Sequence, residues 1–599
     1  MKTVRSLEGR VRGVAWAAAR ASVFAGSLAS CAKTGHESLD LDGGTFATIE
    51  GDIVFQQDAG QSQEPGQEPP AFTGPLAGPF TDFPASPVLD TGSDAGDSVP
   101  ANVASLFGSP DAGAAAGGPC LIEPEVGALY PNNWLRPRFV WTAPGETIFE
   151  LRLHVQNQTN DLLVYTTQTG WTMPQAMWAA LASHSQGVPM TVSVRGGTVN
   201  GATLTNEALG SSGALGIAPV GAPGTIVYWA IVGGQGGMTL LEGFSIGDEN
   251  VGPVLTPAQV QERGDAGVPP CIGCHAATPD GLNVGFSIGY NEGSPGAYTN
   301  SIATLGIDAA PGLVPTFLTA DGKAAMDALG GIPAYSKAHW STGDRIVLLS
   351  DTGMNLNWVN LEGTGATATG VIARTGDTGF ATDPTWSHDG KTIVYTSASS
   401  VYNGRQASGA MTLYSVPYND GAGGAAAPIP GAALAGMAAY YPALSPDDEY
   451  VVYNVAPSGD DPYSDSNDQI YLVAAAGEPG GQPLRLASND PSACLTGERS
   501  PGVTNSWAKW SPSAQYVPVL GSTYYWYVFS STRYPVGAAQ GAPQLFISAL
   551  VVDSKGNVTS YPSLYLWNQP PGDHNHTPAW NYFQIPSPPP VTTLPPIPK

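Results

Sequence analysis

Charge is scarce in this 599-residue chain, and basic charge is the scarcest kind. Lys and Arg number 23 against 49 Asp and Glu, and charged residues make up only 12% of the total. The net charge of −26 repels phosphate backbones and anionic lipid heads, so nucleic-acid binding is excluded as a function. A basic partner protein or divalent cations suit such a surface better. Beyond the N-terminal segment no apolar run is long enough to span a bilayer. GxSxG, HExxH and Walker loops are absent, as is a GxGxxG between a strand and a helix. The common hydrolase and nucleotide-enzyme signatures are therefore missing.

What the chain does have is glycine (75), proline (54) and many Trp and Tyr residues. Such a composition points to many short strands joined by tight turns, with enough aromatic bulk for a sizeable core. Its length predicts two or three domains. Lys2, Arg5, Arg10 and Arg12 precede the small apolar stretch from Ala21 to Ser30, which is the pattern of an export signal. Leu28-Ala29-Ser30-Cys31 resembles the lipobox of bacterial lipoproteins. The resemblance implies a signal peptide over 1–31, with Cys31 lipidated as the mature N-terminus. Residues 32–118 are rich in Asp, Glu, Gln, Pro, Gly, Ser and Ala. They read as a disordered acidic linker lifting the folded part off a membrane.

Order begins near Cys120. Phe149, Leu151, Leu153 and Val155 alternate with Glu150, Arg152 and His154, the period of a half-buried strand. Met190, Val192 and Val194 repeat the pattern, and Thr225 to Val232 reads as another strand. With Trp134, Phe139 and Trp141 between the sheets, residues 119–249 are expected to form a β-sandwich of fibronectin or immunoglobulin type. His154, on the polar side of its strand, reads as solvated.

From residue 262 a repeat takes over. Its clearest copy is Pro384-Thr385-Trp386-Ser387-His388-Asp389-Gly390-Lys391, followed by the strand Thr392 to Ser397. Further copies begin at His275, Ala338, Pro442, Trp507 and Pro578. The unit is an aromatic inner strand, a Ser/Pro-Asp-Gly turn in which Asp caps the backbone, and a second apolar strand; the other copies are weaker, and Pro578-Ala579-Trp580 is a truncated last one. Leu413–Val416, Ile470–Val473 and Leu545–Ser548 supply outer strands. These copies resemble the WD40-like repeats of the TolB-type β-propeller, which implies five or six blades over 262–590 and an all-β protein throughout.

One pentapeptide carries chemistry. Cys271-Ile272-Gly273-Cys274-His275 is a CxxCH, in which two thiols add to the haem vinyl groups and the His reaches the iron. In a chain of this composition its chance occurrence is roughly 0.0006. The sequence thus predicts one haem c, attached through Cys271 and Cys274 with His275 as axial ligand. A thioredoxin-type pair, a zinc site and a short structural disulfide are the competing readings. Ordinary small cytochromes c carry the motif on a helix and supply a Met from a separate loop. Here His275 runs into a propeller repeat, so that sixth ligand does not carry over. In the repeat alignment His275 and Pro384 share a strand position, and His576 lies two residues before Pro578 in the last copy. In a closed ring the last copy neighbours the first, so His576 or His574 is the candidate second ligand, with Met326, Met354 and Met437 as alternatives.

Cys120 and Cys494 are left as a candidate disulfide between sandwich and propeller. The acidic stretch Asp460, Asp461, Asp465, Asn467 and Asp468 lacks EF-hand spacing and reads as a solvated loop rather than a calcium site. Three functions are compatible with these features. The first is electron transfer by an envelope lipoprotein, facing the periplasm or the cell surface and meeting a redox partner protein. The second is a non-enzymatic scaffold that binds envelope proteins or glycans. The third, a peroxidase-like enzyme, requires an open iron position.

Overall fold

The structure is a computed structural model that describes residues 72–91, 98–234, 237–260, 271–289, 298–351, 353–402, 406–459, 465–477, 481–495, 499–533 and 541–586. Cys31 and its lipobox lie outside the described residues, as do 32–71 of the expected linker. Among the described residues no helix is long and apolar enough to cross a membrane.

The chain is all-β, and six of its antiparallel sheets are arranged as the blades of a β-propeller. The innermost strands are Cys271–Ala277, Gly330–Tyr335, Phe380–Trp386, Met437–Leu444, Asn505–Trp510 and His574–Asn581. Each touches the next, and the last touches the first, closing the ring. Blades two to five follow the chain, with second strands Ile346–Ser350, Thr392–Tyr402, Tyr450–Pro457 and Ser522–Ser531. These are the strands the repeat predicts.

The sixth blade does not follow the chain. Its innermost strand, His574–Asn581, pairs with Thr225–Val232, which continues to Met238–Ser245 and Gly252–Leu255. The expected sandwich of 119–249 therefore loses its last strands to the propeller, and the expected propeller of 262–590 gains 225–255. Local pattern could not reveal this, because Thr225–Val232 is apolar on both faces and fits either core. Closing a ring with strands from both ends hides the last sheet edges and ties the chain ends into one unit.

The turn after the inner strand owes its shape to side chains. The hydroxyls of Thr278, Ser387 and Ser445 donate to Asp280, Asp389 and Asp447. The same hydroxyls accept from the backbone N–H groups of Asn283, Thr392 and Tyr450. The following residue, Gly281, Gly390 or Asp448, is left-handed. The second oxygens of Asp280 and Asp447 accept from Trp340 and Tyr525, so the turn that ends one strand also locks two blades together.

Before the propeller lies a two-layer β unit. A six-stranded sheet packs on the three-stranded sheet Cys120–Glu123, Arg138–Thr142 and Gly170–Thr172 around Trp141, Phe149, Leu151 and Val192. The larger sheet contains two parallel pairings, Val88–Asp90 with Leu162–Thr166 and Leu129–Tyr130 with Thr203–Ile217. An immunoglobulin sheet of antiparallel strands has no such pairings. Val88–Asp90 and the helix Val103–Phe107 belong to the stretch expected to be linker. A few well-spaced apolar anchors order it: Phe83, Val99, Val103 and Phe107 are buried, and Arg195 covers the Phe107 ring.

Cys120 and Cys494 form a disulfide between this unit and the propeller. Beside it Arg533 is buried and donates to Glu125 at 2.6 Å, and Ser563 bonds the same carboxylate.

Candidate functional site

Each inner strand except the second is interrupted in the same way. A β-bulge inserts one unpaired position, and the residue there has positive φ: Cys274 (32°), Asp383 (52°), Tyr441 (51°), Trp507 (63°) and Thr577 (43°). The second blade has an irregularity at the same place, with Gly331 left-handed and Ile332 in the aligned position. Left-handed backbone is costly for bulky and β-branched side chains, and its repetition around a ring marks strain held for a purpose. The bulges turn these residues toward the axis: Ile332, Tyr441 and Trp507, from three different blades, share one apolar cluster.

The polar members meet there too. In the six innermost strands Asp383 is the single carboxylate and Lys509 the single Lys or Arg. They come from blades three and five, yet each acts on the other's charge, and Asp383 also acts on Cys274 of blade one. Side chains of alternate blades thus approach one another at the centre of the ring. Burial pushes the Asp383 carboxyl up to about 6, opposed by Lys509, the Thr382 hydroxyl and the Tyr441 N–H. Burial lowers the Lys509 ammonium to about 8, with Asp383 opposing. Cys274 is a free thiol raised to about 11 by burial, against a hydrogen bond with Ser287.

Several buried polar atoms around this ring have no hydrogen-bonding partner: Thr577 Oγ1, Ser506 Oγ, Ser530 Oγ, Thr396 Oγ1 and Trp229 Nε1. Such groups are ordinarily satisfied by water or ligand.

The motif expected to hold haem lies on this ring, but its geometry differs from the expectation. Cys271–Ala277 is an extended strand. Three residues of strand span roughly 10 Å, against roughly 5 Å on a helix, where one turn brings both thiols to one edge of a porphyrin. Cys271 is buried in the apolar layer between blades six and one, whereas Cys274 occupies the bulge. His275 is 3% exposed, against Phe583. Its Nε2 lies 3.0 Å from the Val227 carbonyl, so that nitrogen carries the proton and donates. Nδ1 is then a bare acceptor without a partner. Burial lowers His275 to about 4. These residues do not fit a covalently attached haem, because Cys271 is already bound in a disulfide, Cys274 lies apart from it in the bulge, and Nε2 of His275 is engaged with the Val227 carbonyl. Cys274 being free, they do not form a mutual disulfide either.

Ring closure does bring the two His-bearing strands together, since Cys271–Ala277 and His574–Asn581 are neighbours. His576 sits opposite Trp229, accepts from the Thr577 N–H, and is pushed down to about 3 by burial and by His574. It precedes the bulge where His275 follows it, so the two lie at different levels of the ring. His574 is half-buried and also lowered by burial. Met354 joins the Tyr441 and Trp507 cluster, Met437 packs in blade four, and Met326 is on the buried side of the helix Ala320–Ala328. His154 is exposed and bonds Asp161. Among the described residues no group of three or more His, Cys, Asp or Glu could hold a metal ion. Of the acidic stretch, Asp460 and Asp461 lie outside the described residues. Asp468 is buried and accepts from the Tyr440 hydroxyl, which corrects its expected solvation.

Sequence reasoning missed Asp383 and Lys509. The signal was in the repeat alignment: where Lys509 stands, the other copies carry Ala276, Ala334, Thr385, Ala443 and Ala579.

No protein-family model matches this chain. No curated protein matches it either. Among solved structures it is similar to Kuenenia stuttgartiensis hydrazine synthase, at 14% identity and a TM-score of 0.36, over 62% of this chain and 48% of that one. A Mycobacterium tuberculosis puromycin-hydrolysing peptidase is similar at 14% identity and a TM-score of 0.29, over 57% and 52%. AofleA from Arthrobotrys oligospora is similar at 9% identity and a TM-score of 0.29, over 59% and 89%. The chain spans about half the length of the first two.

Proposed function

We propose that this chain is a binding protein of the cell envelope, related to the TolB-type propellers and anchored by lipid at Cys31, that takes a small polar ligand in its channel. The observation that carries this reading is the ring of bulges. It spends backbone strain at five non-glycine positions to bring Cys274, Asp383 and Thr577 to the axis, where the two opposite charges of the inner strands meet without pairing. A scaffold needing only rigidity would fill the axis with apolar side chains. The unpartnered hydroxyls of Thr577, Ser506, Ser530 and Thr396 add donors and acceptors for a polar guest. The acidic exterior suits docking to a basic envelope protein.

The test is the haem content of protein produced in cells competent for c-type haem maturation. The expected result is no covalent haem on a denaturing gel. Haem that survives denaturation in the parent protein but not in Cys271→Ala or Cys274→Ala overturns the reading. It would put in its place an exported electron carrier, with His275 as axial ligand and His576 or His574 as the candidate second ligand. In that event a six-coordinate low-spin spectrum would exclude a peroxidase-like role.

A further inference from the structure

Lys509 is out of keeping with its position. Its equivalents in the other five blades are Ala276, Ala334, Thr385, Ala443 and Ala579, which face Gly285, Leu348, Val394, Val452 and Val227, just as Lys509 faces Val528. Four alanines and a threonine leave room that one long side chain enters. Among the described residues no hydrogen bond or ion pair holds the ammonium. The ammonium lies over the Trp507 ring, 5.4 Å from its centroid. Asp383 is near enough to influence it and forms no salt bridge with it. A lysine used for structure is anchored, as Arg533 is; this one is left with a free amine in a half-buried channel.

We propose that Lys509 captures carbonyl compounds: its amine condenses reversibly with an aldehyde or small ketone that enters the channel. This rests on the channel-binding reading and names its ligand class. A desolvated lysine beside a carboxyl is suited to the step, because the amine must be neutral to attack and an acid must then assist loss of water. The nitrogen adds to the carbonyl carbon to give a carbinolamine. The Asp383 carboxyl protonates the departing hydroxyl, water leaves, and the carboxylate takes back the proton from nitrogen as the imine forms. Amine and carbonyl give imine and water with no change of oxidation state, and hydrolysis reverses the step. The lowered ammonium of Lys509 and the raised carboxyl of Asp383 agree with these roles.

The experiment treats the full chain at pH 7 with glycolaldehyde and cyanoborohydride and follows each lysine by peptide mass spectrometry. Lys391, whose side chain is 81% exposed, is the internal reference. Lys509 should be reduced to the secondary amine at least tenfold faster than Lys391. The excess should vanish in urea, and Lys509→Met should leave the other lysines unaffected. Labelling of Lys509 no faster than Lys391, with glycolaldehyde still raising the melting temperature, overturns the capture and leaves the channel reading standing. No excess labelling and no melting shift overturns the capture and removes its support from the channel reading as well.

Discussion

Among the opposite charges buried in this molecule, two pairs are built in opposite ways. At the junction of the two-layer unit and the propeller, Arg533 and Glu125 bond directly at 2.6 Å. Arg533 also donates to Ser563, Asn505, Ser531 and the Ser488 carbonyl. Glu125 receives Ser563 through both its hydroxyl and its backbone N–H. In the channel, Asp383 and Lys509 influence each other without bonding, and each is shifted toward its neutral form. A buried charge supplied with partners fastens two bodies together. One left short of partners keeps a proton easy to move, the usual condition of a working site.

That contrast predicts unequal losses. Arg533→Met strands the Glu125 carboxylate in a dry junction and should lower unfolding stability by about 3–5 kcal/mol. Denaturant titration checks this, and a loss under about 1 kcal/mol would mean the junction is not fastened by this pair.

The histidines at the ring seam come next. His275 and His576 are neutral when folded, with values pushed to about 4 and about 3. Between pH 6.5 and those values the unfolded chain binds more protons than the folded one. Stability should therefore be unaffected above about pH 6.5 and fall as the pH drops below it. For His275 alone the loss between pH 7 and 4.5 is on the order of 2–3 kcal/mol. His275→Gln should flatten that part of the stability profile, and an unchanged slope would remove His275 as its cause.

The smallest effect belongs to the channel. Lys509→Met removes a charge that no hydrogen bond or ion pair holds among the described residues and that only the Trp507 ring and the distant Asp383 charge favour, so stability should change by less than about 1 kcal/mol in either direction. A loss as large as that of Arg533→Met would erase the distinction between the two pairs.

Much of the architecture was legible. Thr392–Tyr402 and Tyr450–Pro457 lie where the apolar strand pattern and the Asp389 and Asp447 turns place them, and Ser522–Ser531 where its aromatic run does, because those signals are local: an apolar run and a turn that needs Asp and a left-handed residue. The same local signals misassigned Thr225–Val232, whose apolar run fits any buried strand. They also misread residues 72–118, where four buried anchors in a polar stretch outweigh its composition. The pentapeptide 271–275 advertised a chemistry by residue type alone, while its strand conformation turns the two sulfurs and the imidazole to different surroundings, Cys271 in a disulfide and Cys274 a free thiol.

By itself the sequence determined the repeating unit, because strand period and turn chemistry are written within a dozen residues. Tertiary structure decided that residues 225–255 complete a blade begun 350 residues later, that Cys120 meets Cys494, and that Asp383 and Lys509 face one channel. Those are meetings between distant parts of the chain. They follow from closing the ring, which hides every inner edge at once and brings side chains of separate blades to a common axis.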